Sequence, residues 1–197
     1  SDVYKRQVWT KAIATGAFLL PMLALLFNLA PVSDGLSWTS VVTSLIFLAL
    51  TGILLVKDLD QPKRFLYVLL RPQWGSWLVR GGYFIFLYGA VLTLWPLAET
   101  LGLFALSRFA VWAGVVLAVM VAIYTAFLFA QAKGRDFWQT PALPLHMLIH
   151  AVVAGAAAHA LLGGLFGSEP FWSGFVTDVF VVAMAANLLV MVVELTI

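Results

Sequence analysis

The residues able to do chemistry in this chain are few, and most of them stand among apolar neighbours. Lys11 lies one turn before Thr15, Tyr124 is followed by Thr125, and His146, His150 and His159 fall in a single apolar run. Asp58 and Arg64 belong to the stretch Val56 to Arg80, VKDLDQPKRFLYVLLRPQWGSWLVR, which holds five of the eleven Lys and Arg residues and two of the nine acids. Ionisable groups held in apolar surroundings are costly, so by default they are candidates for proton transfer or ligand contact. Three histidines also invite a haem or a zinc reading. A bis-histidine haem needs ligands facing each other from different elements, and here all three lie on one helix. At roughly 100° per residue, His146 and His150 share a stripe while His159 points to nearly the opposite side. The i, i+4 pair has zinc spacing, but no HExxH pattern or nearby acid supports a metal. A haem held through Met or Lys stays open; otherwise the histidines are hydrogen-bonded inside a bundle or at its mouth, or have a proton or quinone role. For Lys11 the alternatives are a side chain snorkelling to an interface and a polar pair with Thr15 facing a bundle. A buried Tyr124 ordinarily finds a hydrogen-bond partner, which is a structural role.

The composition dictates what must position these groups. Hydrophobic residues make up 63% and charged residues 10% of the 197, whereas a soluble domain has roughly a quarter charged. Several runs approach the ~20 apolar residues needed to cross a bilayer as a helix. Short alternating segments of the β-barrel kind are absent. The reading is all-α: a polytopic transmembrane bundle of about six spans, Val8–Ala30, Trp38–Val56, Trp77–Ala98, Arg108–Ala130, Pro144–Leu165 and Phe171–Ile197. Pro21 predicts a kink in the first span. In the fifth, the small residues of AVVAGAAAHALLGG predict close helix approach. Net charge is only +2 and no basic soluble face exists, so nucleic-acid binding is not expected. With no cysteine, the chain offers no disulfide, thiol nucleophile or Fe–S ligand. The opening residues, Asp-Val-Tyr-Lys-Arg-Gln after Ser1, resemble a translated transposon end from shotgun libraries. Residues 1–7 are therefore set aside as a scar, and 8–197 are read as one transmembrane domain, an N-terminally truncated fragment.

Two polar, basic and aromatic connections fall on the same side of a six-span bundle. In the first, Asp60 or Gln61 caps a short helix with Pro62 at its first position. That helix, Lys63 to Leu70, turns Phe65, Leu66, Leu69 and Leu70 to the membrane and ends before Pro72. The second, QAKGRDFWQTPALP, supplies Lys133, Arg135, Asp136 and Trp138. The opposite side has only Arg108, so the positive-inside rule makes the loop-rich side cytoplasmic. Such a connection is where a membrane protein can meet a water-soluble partner or a quinone head group.

Three patches together resemble the NrfD/PsrC family, the polysulfide reductase type of integral membrane subunit. They are TGAFLLPMLAL in the first span, KDLDQPKRFLYVLLRPQWGSWLVRGGYF, and YTAFLFAQAKGRDFWQTPALPLHMLIHAVVAGAA, which run from about Thr15 to Ala158. The most specific element is D-L-x-x-P-x-R-F, formed by Asp58, Leu59, Pro62, Arg64 and Phe65. The resemblance implies a multi-pass subunit of the bacterial cytoplasmic membrane with a four-helix quinone-site bundle. It also implies a menaquinone or ubiquinone substrate, no haem or Fe–S cluster in this chain, and a ferredoxin-like Fe–S partner leading to a catalytic redox subunit. By position it implies Asp58 as quinol proton acceptor, with Arg64 holding it ionised or meeting lipid phosphate. It further implies Tyr124 as a donor to a quinone carbonyl and Lys11 with Thr15 as a polar pair. That pair departs from the Asn/His of some members. His146 and His150 join the quinone-binding candidates from the residues alone. The competing readings are a proton- or ion-translocating transporter fragment, for which repeated halves would be expected, and a haem-b anchor.

Overall fold

A computed structural model describes residues 2–58, 74–130, 142–166 and 169–196; the side chains of 2–5, 58, 129–130, 166 and 194–196 lie outside that description. The described residues form six helices: α1 (Asp2–Leu26), α2 (Asp34–Asp58), α3 (Trp77–Thr100), α4 (Phe104–Ala130), α5 (Leu143–Phe166) and α6 (Pro170–Thr196). Each contains a segment long and apolar enough to cross a membrane. The short helix expected over Lys63 to Leu70, and the loop residues Lys133, Arg135, Asp136 and Trp138, lie outside the described residues.

The apolar runs locate the helices, and local backbone chemistry sets their ends. The first span, expected to reach Ala30, stops at Leu26. Asn28 takes a left-handed φ of 51°, and Leu29 N–H reaches back to the Ala24 carbonyl at 2.9 Å. This is the Schellman arrangement, which satisfies the last carbonyls of a helix. The same device closes α3 two residues beyond its expected end: Gly102 has φ 69°, and Leu103 N–H bonds the Ala98 carbonyl at 2.9 Å. Helix α2 begins a turn earlier than expected because Ser33 Oγ accepts the Leu36 N–H at 3.3 Å, an N-cap contact. Helix α4 likewise starts at Phe104, four residues before Arg108.

Helices α1, α2, α3 and α4 close into a ring, each packed on the next and α4 returning to α1. Helix α5 packs on the outside of α1 and α4, and α6 packs on α5. The apolar window of α1 is 78% buried and that of α6 is 11% buried, so α1 is the hub and α6 turns most of its surface away from the bundle. The polar residues Thr10, Lys11 and Thr15 of α1 are buried in that centre, away from hydrocarbon. Between α1 and α5 the backbones touch: a Cβ added to Gly16 would stand 1.8 Å from the Ala151 carbonyl oxygen, and one on Gly155 would stand 2.3 Å from the Gly16 carbonyl. The small residues expected to permit close approach thus do so at one crossing.

Pro21 lies inside α1. Having no N–H, it leaves the carbonyl four residues earlier, that of Ala17, without its helical donor. His159 of α5 fills the gap, its Nε2 standing 2.8 Å from the Ala17 oxygen. A carbonyl can only accept, so Nε2 carries the proton. In a bilayer, where no water can substitute, this interhelical bond answers the cost of the proline.

Candidate functional site

The polar centre of the bundle is built on Lys11. The side chain is 2% exposed and does not snorkel to an interface. Its Nζ donates to Thr125 Oγ1 of α4 and lies 4.9 Å from the centroid of the Tyr124 ring. Thr125 in turn contacts Met147 Sδ of α5 at 3.8 Å. The amino group has N–H donors beyond the one given to Thr125, and the face of the Tyr124 ring lies against it.

Tyr124 is 1% exposed, yet its hydroxyl makes no hydrogen bond among the described residues. The expectation that it would find a structural partner is therefore not met. A buried hydroxyl left unpaired costs about 1–3 kcal/mol, so such a group calls for a partner that binds. The ring is held in place by Gly81 of α3, where an added Cβ would fall 2.2 Å from Tyr124 Cε2. Only glycine allows α3 to lie flat against that ring.

Thr15 is fully buried, but its hydroxyl bonds the carbonyls of Lys11 at 3.0 Å and Ala12 at 3.3 Å. It therefore contacts the backbone of Lys11. A second hydroxyl contact ties α1 to α2, with Thr51 Oγ1 donating to Thr10 Oγ1 at 3.0 Å. Near the α3 start, Trp77 stacks on Phe127 at 4.6 Å. The Arg80 guanidinium carbon lies 4.8 Å from the Trp77 ring, and its Nε donates to the Trp74 carbonyl at 2.7 Å. Trp74 stacks on Tyr83 at 5.1 Å. This aromatic and cationic end of the bundle adjoins the D-L-x-x-P-x-R-F connection in the chain.

Among the sequence candidates, the fold brings together Lys11, Thr15 and Tyr124. Asp58 ends α2, but its side chain, like Arg64, lies outside the described residues. His146 and His150 lie on a flank of α5 beside Met147, their rings 5.2 Å apart. His150 is turned toward Asn187 of α6. His159 is absorbed by the proline gap, the hydrogen-bonded role open to a histidine in a bundle. Among the described residues no group of three or more His, Cys, Asp and Glu side chains could hold a metal. Gly81 and Met147 were not singled out from sequence. Thr125 was noted only as the residue directly after Tyr124, without a role in the site.

Set beside known families, residues 8–197 match the model described as polysulphide reductase, NrfD. The chain belongs to the NrfD family. No curated protein matches it. The NrfD family comprises membrane subunits of oxidoreductase complexes and is generally associated with quinones. A multi-pass membrane subunit built on six candidate spans accords with that membership.

Proposed function

We propose that this NrfD-family subunit is the quinone-reactive membrane anchor of a modular respiratory oxidoreductase, exchanging electrons with a ferredoxin-like Fe–S subunit. The observation that carries the reading is the buried hydroxyl of Tyr124, without a partner among the described residues, beside the buried amino group of Lys11. Both groups donate, and a quinone presents carbonyl oxygens that accept. A bound quinone or quinol supplies the two-electron, two-proton chemistry. In this reading the Tyr124 O–H and a free N–H of Lys11 orient the head group, and Thr125 with the Tyr124 ring fixes the amino group. Thr15 shapes the Lys11 turn.

Asp58 and Arg64, carried by the family motif, complete the site as proton acceptor and its charge partner. A carboxylate at the helix end takes the proton released as an electron leaves toward the Fe–S subunit. His146 and His150 are assigned to the periphery of the site. The Fe–S partner docks over the connections at 59–73 and 131–141, next to the stacked Trp74, Tyr83, Trp77 and Phe127, and leads on to a catalytic redox subunit. The membrane is the bacterial cytoplasmic one, and the quinone is menaquinone or ubiquinone.

The test uses the full-length subunit with its accompanying subunits. A quinol analogue is titrated against wild type and Asp58→Asn, following binding and quinol-linked electron transfer together. The expected result is retained binding with turnover reduced at least about a hundredfold, the scale of a lost acid–base catalyst. Absence of quinol binding in the wild-type complex, with no Fe–S subunit attached, would overturn the reading.

A further inference from the structure

At the opposite end of the bundle from Lys11, a cavity of about 540 Å³ opens between the α1–α2 turn, the start of α2, the end of α5 and the start of α6. Its wall includes Ser33, Leu36, His159, Leu162, Glu169 and Trp172. That volume falls in the range of small-molecule sites, roughly 300–1,000 Å³. Two buried polar groups line it. Trp172 is 4% exposed, and its indole Nε1–H has no hydrogen-bond partner among the described residues. His159 is 3% exposed and stands edge-on to the Trp172 ring at 5.5 Å. Its Nε2–H is spent on Ala17, which leaves Nδ1 as an acceptor in the neutral ring. Along the same α5–α6 interface, starting one turn beyond Trp172 at Phe175, a second cavity of about 420 Å³ is walled mainly by Leu148, Val152, Val179 and Val182, with Asp178 on its lining.

A donor and an acceptor side by side ask for a group that is both, and a hydroxyl is the simplest such group. It can accept from the indole N–H and donate to the imidazole nitrogen. Helix ends frame the cavity, so it lies at the level where head groups meet hydrocarbon, and the apolar groove deeper along α5 and α6 suits a chain. We propose that this cavity is a second binding site, distinct from the Lys11–Tyr124 centre, for a hydroxyl-bearing head group on an apolar tail. Two membrane molecules carry that chemistry: a quinol through its phenolic hydroxyl, and a glycerol-headed phospholipid through its glycerol hydroxyls. Trp172 is the donor, His159 the acceptor, and the α5–α6 groove holds the tail.

The site is tested on the full-length complex in phosphatidylcholine nanodiscs, whose head group has no hydroxyl. Three tritiated probes are titrated separately: a decyl quinol, its dimethyl ether, and phosphatidylglycerol. Wild type, Trp172→Phe and Tyr124→Phe are compared, because Trp172→Phe keeps an aromatic wall and removes only the N–H and part of the ring. The expected result is a saturable site for the quinol or the phosphatidylglycerol whose affinity falls about tenfold in Trp172→Phe, the scale of one hydrogen bond. That site is unchanged in Tyr124→Phe and does not take the dimethyl ether. The hydroxylated probe that binds identifies the source. Failure of the Lys11–Tyr124 reading would show instead as quinol binding insensitive to Tyr124→Phe, and would leave this site standing. If neither hydroxylated probe responds to Trp172→Phe, or the ether binds equally well, the cavity holds only water or unspecific lipid and the proposal fails. Circular dichroism and the midpoint of thermal unfolding confirm that each variant is folded.

Discussion

Replacing Tyr124 by phenylalanine should move stability and ligand affinity in opposite directions. Most core truncations lose packing, but here the ring stays against Gly81, where there is no room for it to shift toward α3. The only atom removed is a hydroxyl oxygen that has no partner among the described residues. An unsatisfied buried hydroxyl costs about 1–3 kcal/mol, although the lipid-exposed, partly unfolded reference recovers some of this by finding other partners. The ligand-free protein should therefore be as stable as wild type or about 1 kcal/mol more stable. The contact of the ring with Lys11 at 4.9 Å survives, because phenylalanine retains the ring face. Quinol or quinone affinity should fall by the value of one neutral hydrogen bond, about 0.5–1.5 kcal/mol, or roughly two- to twelvefold. Thermal unfolding in a fixed detergent, without and with a short-chain quinone, reads both quantities, since a ligand that binds the folded state raises the midpoint by mass action. Ligand-free destabilisation above about 1 kcal/mol, with unchanged quinone affinity, would refute the reasoning: the hydroxyl would then serve packing within the bundle.

Three further outcomes follow from the same geometry. Lys11→Met keeps an unbranched side chain and removes a buried polar group, so the bundle should stay folded; quinol affinity measured by titration should drop up to about tenfold, the worth of one hydrogen bond. His159→Ala in the wild-type background should destabilise by about 1–3 kcal/mol, because the Ala17 carbonyl loses its donor. In a Pro21→Ala background, where position 21 regains an N–H for that carbonyl, the same change should cost less, and a double-mutant cycle on unfolding midpoints would show coupling of about 0.6 kcal/mol or more. Gly16→Ala would place a methyl 1.8 Å from the Ala151 oxygen, so α1 and α5 must separate. A loss of roughly 1–3 kcal/mol, read as a lower unfolding midpoint, is expected.

How far the sequence carries is visible in these residues. The six spans were legible because a bilayer demands long apolar runs, and their number and order follow from the runs alone. Their ends were less so: Asn28 in a left-handed conformation looks like an ordinary polar loop residue until the Leu29-to-Ala24 bond is seen. A four-helix bundle was expected from family resemblance, but which helices form it was not legible from periodicity, since helices apolar on every side carry little facing information. Lys11 was ambiguous for the same reason. A lysine near the start of a span can reach the surface or turn inward, and only the partners Thr125 and Tyr124, more than a hundred positions away, decide it.

The histidines show the limit most plainly. Their angular spacing on one helix correctly separated His159 from the pair at 146 and 150, but spacing could not say what each faces. His159 answers a defect created by Pro21 on another helix, with its carbonyl partner 142 positions away. Neither residue explains itself alone: the proline reads as a kink and the histidine as a candidate ligand. Placed together, they form one hydrogen bond that the membrane requires. The same bond commits Nε2, and so leaves His159 facing the outer cavity as an acceptor only. A structural repair in α1 thereby sets the binding chemistry available between α5 and α6.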